Sequence, residues 1–417
     1  MKFLFAWELG GNLGHILRQR LVARKLRQRG HTVSFYLKDM HIGAIALADE
    51  DFHLARAPQL NANLRHAHRD ISSYGDILAS KGFGQRAVIE PVIGAWHAIF
   101  TAEQPDVVML DHAPAALAAA RLAGIPSYNV GTGFEIPPPI GPYLSFRPEG
   151  GPSRAMLAET ENQILATLNN IATAHGARHF DCLSAWMRAD QESLITFAEF
   201  DHYPERQGGS YLGPLFDVEH GAHAAWPATG LCKNIFVYVR PHETLTVLLD
   251  SLTALEANVI CYIPGLPDEL QVRYATARFQ IYTSALRLDR LLPACDLVVC
   301  HTAHGLLSAC ICYGVPVLGI PTQMEQHLLS QRMVEAGNGL FLSRREAKAK
   351  LGACLEALLG EPKYMAQAAA LARKYGAHDR EQVVTTIADD AEQLARGALC
   401  CRRRPRYWNV SVLVAWL

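Results

Sequence analysis

Two clusters of polar residues follow predicted strands in the second half of the chain. An apolar run at Leu297–Cys300 predicts a buried strand, and a polar, glycine-containing stretch, 301–305, follows it directly. A second predicted strand at 315–320 leads to Glu325 and Gln326, which open a helix. The carboxyl ends of parallel strands are where an open α/β sheet binds ligands, and a helix N-terminus there presents backbone N–H groups. The sequence therefore predicts a phosphate site at this edge.

The elements around these clusters alternate between strands and helices, which predicts a parallel sheet in each half of the chain. The chain opens with a strand at Lys2–Trp7, a glycine-rich loop, a helix at 16–29 and a strand at Thr32–Leu37. A buried strand at 105–111 ends in a carboxylate, and Gly124 ends the alanine-rich helix that follows. The predicted fold class is α/β with two Rossmann-like, doubly wound domains. Further predicted strands are 126–130, 234–239, 258–263 and 280–283, and further predicted helices are 155–175, 183–193, 244–255, 288–292, 306–313, 345–359, 363–375 and 380–399.

The domain boundary is predicted at the Leu-Gly-Pro sequence of residues 212–214. We expect an N-terminal domain at 1–213, a linker at 214–230, a C-terminal domain at 231–399 and a tail at 400–417. Long loops are predicted at 56–90 and 131–152, the second because it is rich in proline. The tail combines four arginines with a short apolar run, so we expect packing or disorder, with contact to an anionic membrane surface as the alternative.

Composition and charge exclude several classes of function. The chain has 417 residues, half of them hydrophobic, and its net charge of −1 gives no electrostatic basis for binding nucleic acid. No apolar run approaches the length of a transmembrane span. The ten cysteines lack the spacing of a disulfide framework, which is typical of reduced core residues in a cytoplasmic protein.

Three cofactor hypotheses are disfavoured. The dinucleotide fingerprint would need a glycine at Leu9, although Asp39 follows the second strand where a ribose-binding acid belongs. The acidic string Asp49-Glu50-Asp51 lies in a polar turn and is interpreted as solvated rather than as a metal site. A zinc site is disfavoured because the spacing of the candidate ligands does not suit one; these are Cys295, Cys300, His301, His304, Cys310 and Cys312.

Several short motifs, in order along the chain, carry a resemblance to a known family. They include Gly14-His15, PDVVMLD followed by LAGIP, TFAEFDHYPER, YLGP, DRLLPACDLVVCH, GVPVLGIP, the Glu325-Gln326 pair and a GNGL sequence. Together they resemble the inverting, nucleotide-sugar-dependent glycosyltransferases of the GT-B type. That family includes UDP-glycosyltransferases of plants and animals and bacterial enzymes that glycosylate antibiotics and lipids. The resemblance covers almost the whole chain.

The resemblance implies a fold, an activity and a set of site residues. It implies that the two domains face each other across a cleft, and that a sugar moves from a UDP- or dTDP-sugar to a hydroxyl of a small, apolar acceptor. His15 is implied as the general base and Asp111 as the acid that orients it. A histidine titrates near neutral pH, which suits deprotonation of a hydroxyl. No metal or other cofactor is expected. The implied donor contacts are His301, His304, Gly305, Glu325, Gln326 and Arg240, and the acceptor contacts are Gly14 and Phe134.

The chain departs from the family at the donor loop. The family's double glycine is replaced by Thr302-Ala303, its phosphate-binding hydroxyl by Leu306 and its ribose-binding acid by Ala309. The positions that would contact the base are Ala285 and Leu288. These changes keep two alternatives open: a catalytically inactive GT-B protein that binds a ligand or assists a partner, and a nucleotide-sugar epimerase.

Overall fold

The computed structural model describes residues 1–11, 13–61, 71–147 and 149–401. Within these ranges the chain forms two compact units. Unit 1 comprises Met1–Ile195, Tyr203–Gly213 and the described part of Glu381–Leu417. Unit 2 comprises Thr196–His202 and Pro214–Arg380.

Unit 1 is built on a six-stranded parallel sheet with the strand order β3-β2-β1-β4-β5-β6. This is the order of a doubly wound Rossmann-like sheet, in which the strand order reverses between β1 and β4. β1 and β4 are buried at most positions and apolar, as expected for the centre of a sheet covered on both faces. The elements in chain order are β1 (Lys2–Trp7), α1 (Gly14–Gln28), β2 (Thr32–Leu37), α2 (Met40–Ala46), β3 (His53–Arg56), α3 (Tyr74–Ser80), α4 (Arg86–Glu103), β4 (Val107–Asp111), α5 (Pro114–Ala123), β5 (Ser127–Gly131), α6 (Arg154–Ala174), α7 (Leu183–Trp186) and β6 (Gln191–Leu194).

Unit 2 repeats the same topology, with six parallel strands in the order β12-β11-β10-β7-β8-β9. Its order reverses between β7 and β10. The two predicted Rossmann-like sheets are therefore confirmed. The elements are β7 (Asn234–Tyr238), α8 (Leu245–Thr253), β8 (Asn258–Tyr262), α9 (Asp268–Tyr274), β9 (Phe279–Tyr282), β10 (Leu297–Cys300), α10 (His304–Tyr313), β11 (Val317–Gly319), α11 (Met324–Glu335), β12 (Gly339–Phe341), α12 (Arg344–Gly360) and α13 (Pro362–Tyr375), with 3-10 turns at Ala198–Phe200 and Leu292–Ala294.

The last helix, α14 (Arg380–Cys401), packs in unit 1. The structure therefore differs from the predicted range 231–399 for the C-terminal domain. Glu392 accepts hydrogen bonds from Arg29 Nη1 at 3.0 Å and lies 3.1 Å from His31 Nε2. Tyr128 also donates to Asp390 at 3.1 Å. These long-range polar contacts leave no local sequence pattern, which is why the helix alone did not indicate its unit.

Three predicted segments differ from the structure. The range 56–90, predicted as long loops, contains α3 and the start of α4, and its residues 62–70 lie outside the described residues. The predicted helix at 183–193 is the single turn of α7 followed by strand β6. The predicted helix at 288–292 is a 3-10 turn at Leu292–Ala294. In the predicted tail, residues 402–417 lie outside the described residues.

Candidate active site

The switch point of unit 1 brings together two residues that are distant in the sequence. Trp7, the last residue of β1, pairs with Asp111, the last residue of β4. His15 follows β1 at the start of α1. A doubly wound sheet binds ligands beyond the carboxyl ends of its strands at this point, so the topology alone places His15 and Asp111 at a candidate site.

His15 and Asp111 form a hydrogen-bonded pair. His15 Nδ1 lies 2.8 Å from Asp111 Oδ1, and the side chains are 11% and 0% exposed. Burial alone would raise the pKa of Asp111, but the charges of Arg18 and His15 hold it below its ordinary value. The ionised carboxylate therefore accepts the Nδ1 proton, which leaves the Nε2 lone pair of a neutral His15 to act as a base.

The imidazole of His15 is held in place from two sides. The indole of Trp7 stacks on it with ring centroids 5.6 Å apart. Near the Nε2 edge of the ring, Gly10 adopts a φ of +80°, and a Cβ on this residue would lie 2.4 Å from His15 Nε2. Lys38 Nζ donates to the Gly10 carbonyl at 2.7 Å and so fixes this loop. Only glycine allows this close approach to the ring.

Two charged residues that were not predicted from the sequence, Arg18 and Glu135, surround the His15–Asp111 pair. Arg18 donates from Nε to Asp111 Oδ2 at 2.9 Å and from Nη2 to Asp111 Oδ1 at 2.5 Å. The same Nη2 lies 2.9 Å from Glu135 Oε1. Arg18 follows His15 by three positions, so the helical period could have indicated that they share a face. No local signal marks Glu135, which lies in the proline-rich loop.

His112 is a further buried histidine next to Asp111. It has a φ of +47°, unusual for a residue other than glycine, and its carbonyl accepts the Leu9 N–H at 3.0 Å. Its ring stacks on Tyr74 at 5.9 Å and meets the edge of Phe134 at 6.3 Å. Burial lowers the pKa of His112 to about 4, so the ring is neutral near pH 7.

The two predicted acceptor contacts lie in different surroundings. Gly14 is exposed at the start of α1, with nothing within 4 Å of the place where a Cβ would be. Phe134 is 6% exposed and stacks on Phe146 with centroids 5.3 Å apart. The side chain of Phe134 is therefore part of a packed aromatic cluster.

In unit 2 the corresponding switch point lies between β7 and β10, and His301 follows β10. His301 Nδ1 lies 2.8 Å from the Ile320 carbonyl, and its Nε2 accepts the backbone N–H of Arg240 at 2.8 Å. These two bonds fix a neutral tautomer and connect the ends of β10, β11 and β7. Because both ring nitrogens bind backbone groups, we assign His301 to supporting the predicted donor loop.

The predicted donor loop makes a sharp turn at Thr302, although the family's double glycine is missing. Thr302 adopts a φ of +58° and is fully buried, and its Oγ1 accepts a hydrogen bond from Ser330 Oγ at 2.8 Å. This contact stabilises a left-handed conformation that costs a non-glycine residue about 1–2 kcal/mol. The turn leads into α10, whose first residues are His304 and Gly305 and whose N-terminus has no side-chain cap.

The positions where the family places donor contacts differ in their exposure. Leu306 and Ala309 are 8% and 1% exposed and pack in the apolar core of unit 2. In the first turn of α11, Glu325 is half-buried and Gln326 is buried. Gln326 Oε1 accepts bonds from the Thr322 backbone N–H at 2.8 Å and hydroxyl at 3.0 Å, which hold the amide oxygen within the protein.

Arg240, predicted as a donor contact, is exposed just after the end of β7. Three residues near it were not predicted as site residues: His242, Tyr238 and Tyr262. The ring of His242 lies 5.6 Å from that of His301, edge to face. Tyr238 and Tyr262, at the ends of β7 and β8, stack with centroids 4.8 Å apart and planes 7° apart. Neighbouring strands and their register create this pair, so it has no signal within either strand alone.

Three of the acidic residues named in the disfavoured hypotheses have structural partners. Asp39 caps α2 by accepting the His41 and Ile42 N–H groups at 2.9 and 3.1 Å. Glu50 pairs with Arg24, and Asp51 pairs with Arg27.

Within the described ranges, no group of three or more metal-ligating side chains is arranged to hold an ion. Among the described helices, none has the length and hydropathy needed to cross a membrane.

Parts of the chain are similar in sequence to known proteins. A family model described as erythromycin biosynthesis protein CIII-like, C-terminal domain, matches residues 246–390. A 4'-demethylrebeccamycin synthase of Lentzea aerocolonigenes is 27% identical over 136 residues, which are 32% of this chain and 32% of that protein. This match thus spans about a third of that relative. A PGL/p-HBAD biosynthesis rhamnosyltransferase of Mycobacterium tuberculosis (strain CDC 1551 / Oshkosh) is 24% identical over 395 residues, covering 87% of this chain and 84% of the relative.

Solved structures of glycosyltransferases share the fold over nearly the whole chain. VinC, solved in complex with dTDP, is 17% identical with a TM-score of 0.64 and covers 95% of this chain and 100% of its own. The spinosyn rhamnosyltransferase SpnG, solved with spinosyn aglycone, is 16% identical with a TM-score of 0.65 and covers 92% of this chain and 99% of its own. These comparisons confirm the resemblance that the sequence motifs predicted.

Proposed function

We propose that this chain, a glycosyltransferase with the GT-B fold, transfers a sugar from a nucleoside diphosphate to a hydroxyl of a small, apolar acceptor with inversion. The observation that carries the proposal is the 2.8 Å hydrogen bond between His15 Nδ1 and Asp111 Oδ1 at the switch point of unit 1. It supplies an oriented base where a Rossmann-like sheet binds ligands.

The proposed reaction is a single displacement. The acceptor oxygen attacks the anomeric carbon while His15 Nε2 takes its proton. The bond from that carbon to the diphosphate breaks, and its electron pair leaves with the phosphate oxygen. Attack opposite the leaving group inverts the anomeric centre. Asp111 stabilises the imidazolium that forms and keeps the ring in the required tautomer.

The proposed donor site lies at the edge of unit 2 formed by the loop after β10 and the first turns of α10 and α11. The N-terminus of α10, at His304 and Gly305, offers backbone N–H groups and the positive end of a helix dipole to the diphosphate. The exposed Arg240 guanidinium can pair with a phosphate. Glu325 and the Gln326 amide are the proposed contacts to sugar hydroxyls. The complex of VinC with dTDP supports a thymidine donor.

Stabilisation of the leaving diphosphate by these groups requires no metal ion. We therefore propose transfer without a cofactor, and a chelator should leave the rate unchanged. Leu306 and Ala309 supply no polar group to the ribose, so we propose that the phosphates and the sugar provide most of the donor affinity.

The proposed acceptor is small and apolar, with one reactive hydroxyl. The aglycone bound by SpnG supports this class. Gly14 leaves open space beside His15, and Phe134 belongs to the aromatic cluster next to Asp111.

The experiment that tests the proposal is a matrix of donors and acceptors. The full chain is incubated with UDP- and dTDP-sugars, including a dTDP-rhamnose, and with a panel of apolar phenols, alcohols and macrolide aglycones. Release of nucleoside diphosphate that depends on the acceptor, with an inverted anomeric centre in the product by NMR, is the expected result. Retention of configuration would exclude the single displacement.

The buried Leu306 and Ala309 favour one rival, a GT-B protein that binds a ligand without catalysis. This rival predicts acceptor binding by calorimetry with no release of nucleoside diphosphate from any donor. The same matrix therefore separates the two hypotheses.

A further inference from the structure

The base of the proposed reaction belongs to a cluster of four ionisable side chains. Arg18 lies between Asp111 and Glu135, with bonds of 2.5 and 2.9 Å to Asp111 and 2.9 Å to Glu135. Arg18, Asp111 and Glu135 are 9%, 0% and 5% exposed. Ion pairs buried this deeply interact far more strongly than surface pairs because water screens them little.

Arg18 opposes the stabilisation that Asp111 gives to His15. Its Nη2 lies 3.0 Å from His15 Nδ1, so an imidazolium would stand directly beside a guanidinium. Both oxygens of Asp111 are also bonded to Arg18. An aspartate neutralised in this way still orients the ring, but it does little to favour uptake of a proton.

Glu135 restores the missing negative charge. The two carboxylates and the one guanidinium leave a net charge of −1 around a neutral His15, and proton uptake by His15 brings the cluster to neutrality. Burial alone would raise the pKa of Glu135, but the charges of Arg18, His112 and His15 hold it well below its ordinary value. Glu135 is therefore ionised at neutral pH.

The loop after β5 is shaped to hold Glu135 in this position. Thr132 donates to its carboxylate from both the backbone N–H and the hydroxyl, each at 3.0 Å. A Cβ on Gly131 would lie 2.8 Å from the Glu135 side chain, so the close approach requires glycine there.

Among the described residues around the cluster, Lys38 is cationic and donates to the Gly10 carbonyl at 2.7 Å, whereas three further titratable groups are largely neutral near pH 7. Burial lowers the pKa of His112 to about 4 and raises that of Tyr74 well above its ordinary value. Glu8, which accepts bonds from the start of α5, has a pKa raised to about 8 by burial. Among the described residues, Asp111, Arg18 and Glu135 are the charged side chains that form one bonded cluster with His15.

We infer that Arg18 and Glu135 are positioning residues that set the proton affinity of the His15 base, with Glu135 offsetting the charge that Arg18 places beside it. The inference rests on the proposed function, because it assigns a catalytic purpose to this balance.

The test is the pH dependence of kcat/KM for wild type, Glu135→Gln and the double variant Arg18→Gln/Glu135→Gln. Glu135→Gln keeps the shape of the side chain but removes its charge, so the acid limb should move about one to two pH units lower. The maximal rate should fall about tenfold because the base is weaker. In the double variant the net charge returns to −1, and the acid limb should move back toward its wild-type position. An acid limb that stays in place in Glu135→Gln would overturn the inference.

A second readout does not depend on turnover. The imidazole signals of His15 in the full chain are followed by NMR through a pH titration, and are assigned by their loss in His15→Ala. The midpoint should be lower in Glu135→Gln than in wild type. If no donor and acceptor pair reacts, the proposed function fails, while this midpoint still decides whether Glu135 acts on His15.

A matched control is available in the same unit. Glu392 is 9% exposed and also contacts an arginine and a histidine, Arg29 and His31. Glu392→Gln should leave both the acid limb and the His15 midpoint unchanged. An equal shift in this variant would mean that loss of any buried carboxylate has this effect, and it would refute a specific role for Glu135.

Discussion

The substitution Gly10→Ala tests whether the position of the His15 ring determines the rate, independently of the stability of the fold. A Cβ at this position would lie 2.4 Å from His15 Nε2, whereas ordinary contacts between non-bonded heavy atoms are about 3.5–4.0 Å. The ring or the loop must therefore move by roughly 1 Å, and a displacement of this size can cost about 100-fold in rate. Lys38 holds the Gly10 carbonyl at 2.7 Å and resists movement of the loop. We expect kcat to fall about 100-fold in an assay of nucleoside diphosphate release.

Gly30→Ala is the matched control for this substitution. Gly30 has a φ of +82°, close to that of Gly10, but nothing lies within 4 Å of the place where its Cβ would be. Both variants should lose about 1–2 kcal/mol of unfolding free energy in urea, from the left-handed backbone alone. Only Gly10→Ala should lose activity. If both variants keep kcat within threefold of wild type, the argument that Gly10 positions His15 is refuted.

Three further predictions test other parts of the structure. Burial raises the pKa of Glu161 to about 7. The folded protein therefore loses stability as the pH rises from about 4.5 to 7, because ionising this buried carboxyl is costly. Glu161→Gln should therefore be more stable than wild type at pH 8, by at most about 3 kcal/mol in urea, and not at pH 4.5; equal stability at pH 8 would contradict this. Thr302→Gly should be about 1 kcal/mol more stable than Thr302→Ala in urea, because glycine relieves the left-handed strain at this residue; the opposite order would show that the strain is absent. Arg240→Ala should raise the donor KM about tenfold and leave the acceptor KM unchanged, from the loss of one charged hydrogen bond to phosphate; an unchanged donor KM would remove Arg240 from the site.

The sequence was most informative where a strong local preference determined an element. The strands Lys2–Trp7 and Thr32–Leu37 have the predicted bounds because apolar runs are bordered by polar residues and glycine. Gly124 ends its helix as predicted and adopts the left-handed conformation at a φ of 64°, and Gly314 ends α10 in the same way at 74°. The single turn at Leu183–Trp186 was mistaken for a longer helix because strand β6 is short and polar at its start.

The candidate site could be predicted only in part, because its contacts span the chain. His15 and Asp111 were named from motifs, whereas Glu135 lies 117 positions from Arg18 and no motif connects them. The turn at Thr302 is bonded to Ser330, 28 positions away, and no local pattern connects the two residues. Burial of Leu306 and Ala309 likewise depends on the packing of the whole unit.

The most direct test of the central claim is to measure transfer and donor binding by His15→Ala in the same preparation, using the donor and acceptor that wild type prefers. We expect kcat to fall by about 10²–10⁴-fold, the range for loss of a general base. Calorimetry should give a Kd for the nucleoside diphosphate within twofold of wild type, because His15 does not belong to the proposed donor site. A His15→Ala variant that retains the wild-type kcat would contradict the account.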